Sequence, residues 1–264
     1  MDECVMKQMV GNDGIKGFLD EKVILYNQHS FIETDPIQIP KQFEQKEDIE
    51  IAAFMAATIA WGQRSTIIRN AKRLMALMDY RPYEFVINAS EKDLDVFSGF
   101  KHRTFNGGDC KYFLRSLKNI YTKHQGLQQV FENGFTRNRS VKASLADFHT
   151  VFFEIDGPQR TRKHVSNTAT GSPAKRLNMF LRWMVRKDIS GIDFGIWKGI
   201  PAKSLMLPLD VHTGTVARKL GLLERKQNDW KAVEEVTSNL RRFDPNDPVK
   251  YDFALFGLGV FEKF

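Results

Sequence analysis

The sequence predicts an all-α protein of two helical lobes around a groove. Apolar residues recur at helical spacing along most of the 264 residues. No run alternates like a half-buried strand, and the hairpin dipeptides Asn106-Gly107 and Asn133-Gly134 lie beside helical segments. The length suits two lobes sharing one unit and is enough to bury a core.

The elements follow in order. From Asp48 to Met78 the apolar positions Ile51, Phe54, Met55 and Ile59, then Ile67, Ala71, Leu74 and Met75, mark two helices. Gly62 is read as the stop of the first and Ser65 as the cap of the second. Pro82 to Ala89 reads as a short helix. Asp109 to His124 and Val141 to Ile155 are amphipathic. Asp156 to Ser172 is polar, basic and aperiodic, so it is expected to be a long loop of the kind that carries function. Ser172 then caps a helix with Pro173 at its first position and an apolar face of Leu177, Phe180, Leu181, Met184 and Val185. Ile189 to Pro208 is irregular. Asp210 to Leu220 is helical and stopped by Gly221, Asp229 to Arg242 ends before Pro245, and Tyr251 to Phe261 is the last apolar stretch. The whole makes about ten helices. One lobe holds residues 48–155. The other holds 172–264 with the N-terminal segment.

Lys and Arg number 39 against 32 Asp and Glu, a net charge of +7. A basic excess favours polyanionic partners, nucleic acid before an anionic membrane surface. Cys4 and Cys110 are too few for a four-cysteine metal or iron–sulfur site and do not outline a disulfide framework. No metal and no cofactor is expected. The start, Met1-Asp2-Glu3-Cys4, has no apolar core of a signal peptide. No run approaches the about 18 to 20 apolar residues that span a bilayer. The expected location is the cytoplasm, with no membrane association and a monomeric state.

The chemistry concentrates at Pro208-Leu209-Asp210-Val211-His212-Thr213. On the residues alone, Asp210 is a helix N-cap whose carboxylate accepts from the amide of His212 or Thr213. A carboxylate held rigidly at a helix start can also stabilise positive charge on a sugar or activate a nucleophile.

This segment, with Val216-Ala217-Arg218-Lys219-Leu220-Gly221-Leu222 behind it, resembles the Asp-x-His element of the helix-hairpin-helix DNA glycosylase superfamily. The resemblance implies that Asp210 is the catalytic carboxylate. Ile51 to Ser65 is similar to that superfamily's early helix, whose closing turn carries a DNA-probing Gln, here Gln63. Lys111 to His124 is similar to the helix before the hairpin. Gly171-Ser172-Pro173-Ala174-Lys175-Arg176-Leu177 matches the hairpin and the following helix, where bifunctional members place their nucleophile, here Lys175. The separation from Lys175 to Asp210, 35 residues, is nearer that of the archaeal 8-oxoguanine glycosylase type, which lacks an iron–sulfur cluster. Phe243 to Gly259 resembles an uncharacterised bacterial family associated with the superfamily. The hairpin departs from the Gly-x-Gly pattern, because Pro173 has no N–H to offer a phosphate.

The implied function is excision of a flipped, damaged base from double-stranded DNA by a glycosylase with AP-lyase activity, an oxidised purine being the candidate lesion. Gln63, Arg64, Arg160, Arg162, Lys163, Gly171, Arg176 and His212 are the candidate DNA contacts. Trp61, Trp183 and Trp197 are candidates for stacking on the base. A monofunctional glycosylase, with Asp210 activating water, remains open. So does a nucleic-acid-binding protein that keeps the fold without the chemistry. The bifunctional reading requires Lys175 and Asp210 to meet.

Overall fold

A computed structural model describes residues 12–264; Cys4 lies outside the described residues. In chain order the α-helices are α1 (Asn12–Tyr26), α2 (Ser30–Thr34), α3 (Lys46–Thr58), α4 (Arg64–Ala76), α5 (Pro82–Asn88), α6 (Gly107–Lys123), α7 (Leu127–Asn138), α8 (Val141–Phe152), α9 (Lys175–Val185), α10 (Val211–Lys219), α11 (Trp230–Phe243) and α12 (Tyr251–Val260). The expected all-α class is what the described residues show. A two-residue antiparallel pair, β1 (Lys101–His102) and β2 (Phe105–Asn106), is an addition. It is too short to produce an alternating pattern. No described helix is long and apolar enough to cross a membrane.

The chain divides into two units. The first takes the segment up to Phe31, Gly171–Gly195 and Pro201–Phe264; the second takes Ile32–Thr170 and Ile196–Ile200.

In the second unit an aromatic core forms where α3, α6, α7 and α8 converge. Phe54 packs on Phe113, Phe148 and Phe152, and Phe131 stacks on Phe148 with ring centroids 4.3 Å apart. α7 and α8 approach closely because a side chain at Gly134 would meet Ser144 Cα at 2.9 Å. The Ser144 hydroxyl donates to Phe131 O across the same contact. α7 escaped the periodicity reading. The segment Ile196–Ile200 joins this unit through Trp197, whose indole N–H donates to the buried Glu50 carboxylate at 2.7 Å. Burial, with a smaller push from Glu47, raises the Glu50 carboxyl, and it stays raised although Tyr121, Lys46 and Trp197 oppose it.

Several expected boundaries move. α3 ends at Thr58, before Gly62, and α4 begins at Arg64 with Gln63 in the cap position, so Ser65 lies inside the helix. Gly62 instead supplies a positive φ of 102° in the turn between them. α8 ends at Phe152. The expected loop from Asp156 contains short 3-10 turns at Gln159–His164 and Thr168–Thr170.

In the first unit, α12 is the centre and is apolar almost all round. α1 packs on it at Gly257, where a side chain would strike the Tyr26 ring. α10 packs on it at Gly259, where a Cβ would lie 3.1 Å from His212 Cβ. α9 buries Leu177, Phe180, Leu181, Trp183 and Met184. α11 buries Trp230, Val233, Val236 and Leu240 at helical spacing.

Candidate active site at the starts of two helices

The Lys175 side of the site begins with a turn. Gly171 has φ 86° and Ala174 has φ 47°, so the chain reaches α9 through left-handed backbone. Ser172 does not cap the helix, and Pro173 is not its first residue. The Ser172 hydroxyl accepts from Ala174 N at 3.3 Å, and Ala174 occupies the cap position. A proline at the expected first position would have needed its predecessor outside the helix. Instead the chain uses two more residues to turn, and α9 starts at Lys175. Gly171 O accepts from Trp230 N at 2.9 Å, tying this turn to the start of α11.

The Asp210 side is a capping box. Asp210 has extended backbone and accepts from Thr213 N at 3.0 Å, while Asp210 N donates to the Thr213 hydroxyl at 2.9 Å. This satisfies two of the orphan N–H groups at the helix start and is worth about 1 kcal/mol. Buried Pro208 and Leu209 lead into it. Asn228 holds the cap from outside by donating to Asp210 O at 3.0 Å, and Arg218 holds Asn228.

The two sides meet. Lys175 Nζ lies 3.5 Å from Asp210 Oδ2, and both side chains are about a quarter exposed. The carboxylate therefore divides its oxygens. Oδ1 serves the cap and Oδ2 faces the amine. A lysine amine and an anchored carboxylate, both reachable from solvent, can form and stabilise a covalent adduct with a carbonyl-like carbon.

Behind this pair sits a group that the sequence reading passed over. Asp252, at the start of α12, is buried and paired with Arg182 of α9. Arg182 also reaches Asp193 at 3.2 Å, and Arg186 pairs with Asp188, Asp193 and Asp247. Burial pushes the Asp252 carboxyl up to about 6 against the pull of Arg182, and Asp210 and Lys175 both act on it electrostatically. The signal available in the sequence was one acid inside the apolar run Tyr251-Asp252-Phe253-Ala254-Leu255.

The remaining candidates of this unit are Gly171 in the turn, Arg176, His212 and Trp183. Arg176 follows Lys175 in the first turn of α9, and burial lowers its guanidinium to about 10. His212 is exposed on α10, two residues after Asp210. Trp183 is a correction, because it is fully buried on the core side of α9 and can stack on no base.

The second unit holds the others. Gln63 is exposed, and its side chain makes no capping bond. Trp61 is half-buried, stacked on His164 and edge-on to His102. Arg64 lies beside Thr34 and 3.9 Å from Asp35. Arg162 and Lys163 are exposed, with Arg162 over the Phe153 ring. Arg160 is a second correction. Its guanidinium is committed to buried Asp109 at 2.6 Å, to Asn106 and to Thr104 O, so it fastens the start of α6. Trp197 is a third, buried against Phe131 and hydrogen-bonded to Glu50.

Among the described residues no three His, Cys, Asp or Glu side chains converge as a metal-binding group. Cys110 is buried, and burial raises its thiol further from ionisation.

Residues 35–261 match one family model, described as a protein of unknown function, DUF2400. No curated protein matches the chain, and no solved structure does. With the match spanning most of its length, the chain belongs to the DUF2400 family.

Proposed function

We propose that this chain is a DNA base-excision glycosylase with AP-lyase activity, of the helix-hairpin-helix kind. One observation carries the reading: the 3.5 Å approach of Lys175 Nζ to Asp210 Oδ2 at the starts of α9 and α10. A helix-start lysine facing a helix-start carboxylate is the arrangement that the sequence resemblance requires.

The target nucleotide is flipped out of the duplex at a cost of a few kcal/mol, drawn from contacts to the DNA backbone. Lys175 passes a proton to Asp210, and its lone pair forms a bond to the deoxyribose C1′. The bond from C1′ to the base breaks, and its electron pair leaves with the base. Asp210 faces the positive charge that develops on the sugar. The sugar ring opens to a Schiff base on Lys175, and β-elimination breaks the C3′–O bond. Exposed His212 is a backbone contact of this unit, and exposed Gln63, Arg162 and Lys163 are the DNA contacts proposed for the other.

A second reading, nucleic-acid binding without catalysis, is favoured by the hairpin. Pro173 has no N–H, and Ala174 N already donates to Ser172, so neither is offered to a phosphate.

The test is incubation with duplexes carrying different lesions, or an abasic site, in the presence of borohydride. A covalent adduct that vanishes in Lys175→Gln supports the bifunctional reading. Base release without an adduct selects a monofunctional glycosylase. Salt-sensitive binding with neither selects the binding protein.

A further inference from the structure

The stripe of α9 that begins with Lys175 continues inward. Arg182 follows at seven residues on the same side of the helix, and Arg186, eleven residues on, is its C-cap in extended backbone. Each cation meets carboxylates: Asp210 faces Lys175, Asp252 and Asp193 face Arg182, and Asp193, Asp188 and Asp247 face Arg186. Five carboxylates thus serve three cations, and Asp252 is the buried one whose field reaches both Lys175 and Asp210.

The packing fixes it there. α12 meets α10 at Gly259, and Asp252 lies two turns earlier on that same face of α12. Arg182 clamps the carboxylate from α9. The charged groups around it are Lys175 and Arg182 from α9, Asp193 from the segment after α9, and Asp210 from the cap of α10. From α1, Asp20 instead meets Tyr251 and Lys250, and Lys22 and Tyr26 meet Glu262.

We propose that Asp252 is a positioning residue for the Lys175–Asp210 pair, an anionic rear wall that must be ionised for Lys175 to carry a cationic sugar adduct. The inference rests on the glycosylase–lyase reading of that pair. The Schiff base and the sugar cation before it are positive species, in a part-buried site where a second carboxylate stabilises them more than water would. Asp252 is buried, with its side chain 9% exposed, and it is paired with Arg182, so it acts through the field it places on Lys175 and through its hold on Arg182. Protonating it removes that field and its charge pairing with Arg182.

The test compares the intact chain with Asp252→Asn and Asp252→Glu on a duplex carrying an abasic site. Adduct formation under borohydride is followed from pH 4.5 to 8. The wild type is expected to lose adduct rate as pH falls through about 6, where the Asp252 carboxyl takes its proton. Asp252→Asn is expected to be at least about tenfold slower at pH 7.5 and flat across that limb, while Asp252→Glu regains both rate and limb. A limb that persists unchanged in Asp252→Asn overturns the proposal, since a merely structural residue would slow the reaction at every pH alike. Urea unfolding supplies a readout without catalysis. A carboxyl raised in the folded state stabilises below its unfolded value and loses that contribution as pH rises to about 6, so wild type should lose stability relative to Asp252→Asn between pH 4 and 7. Absence of that loss refutes the buried titration whatever the enzymology shows. Its presence, with no adduct from any variant, overturns the lyase reading and the positioning role together.

Discussion

Lys175 Nζ and Asp210 Oδ2 stand 3.5 Å apart although 35 residues separate them in the chain. Each is placed by a helix start, so the pair depends on two local structures and one packing arrangement. The two duties of Asp210 fall on different oxygens, and they are separable by mutation.

Asp210→Asn keeps an oxygen to accept from Thr213 N, and asparagine is as good a cap as aspartate. Stability should change by less than about 1 kcal/mol, while base release and adduct formation are lost. Asp210→Ala should lose the same activity and also about 1 kcal/mol of stability, within a range of roughly 0.5 to 2. Urea denaturation beside the adduct assay measures both. Full activity in Asp210→Asn would refute the catalytic assignment.

The basic residues of the second unit should separate likewise. Arg160→Ala leaves the buried Asp109 carboxylate without its cation and should cost about 1 to 3 kcal/mol of stability. Arg162→Ala with Lys163→Ala removes two exposed side chains, of which Arg162 gives up its contact with the Phe153 ring, and should cost no more than about 1 kcal/mol of stability. If these two side chains meet phosphates, the slope of log affinity against log salt falls by about 0.9 for each. Duplex-binding titrations at several salt concentrations check this, and an unchanged slope removes them from the interface.

Acid should weaken the Asp109 fastening. Burial would raise this carboxyl, but the Asn106 amide, Thr161 and Arg160 outweigh burial and hold it below the usual carboxylate range. A depressed carboxyl contributes stability that is present above its unfolded value, near 4, and lost as pH falls through the folded value. The stability gap between wild type and Arg160→Ala should therefore be full at pH 6 to 7 and narrow below about pH 4. Paired urea melts across that range decide it.

The two buried tryptophans make a further contrast. Trp197 Nε1 donates to Glu50, whereas Trp183 Nε1 is buried with no hydrogen-bond partner. Trp197→Phe removes a donor from a buried carboxylate, and Trp183→Phe removes an unsatisfied donor. With similar losses of volume, Trp197→Phe should be the more destabilising by about 1 to 3 kcal/mol. Equal costs in urea would show that the Glu50 contact contributes nothing.

Much of this was legible in the chain, and the misses have physical causes. α7 was passed over because its window, Leu127–Asn138, holds Gly134 and several polar residues. Its helicity comes from packing Val130, Phe131 and Phe135 against the neighbouring helix rather than from propensity. The Ser172-Pro173 start looked sound by the capping rules, yet the turn through Ala174 displaced it. Arg160 looked like a loop cation open to a phosphate, and nothing local reveals that Asp109 claims it.

By itself the sequence determined the helical class, Asp210 as a cap, Gly221 as a stop and Lys175 in the first turn of its helix. These follow from interactions within one turn of backbone, where the partner is three or four residues away and its identity is visible. Only the tertiary structure decided that Lys175 faces Asp210, that Asp252 stands behind them on Arg182, and that Trp183 and Trp197 are core. Those outcomes depend on which helix faces pack and on which charges are drawn out of water together, and neither spacing nor composition records that.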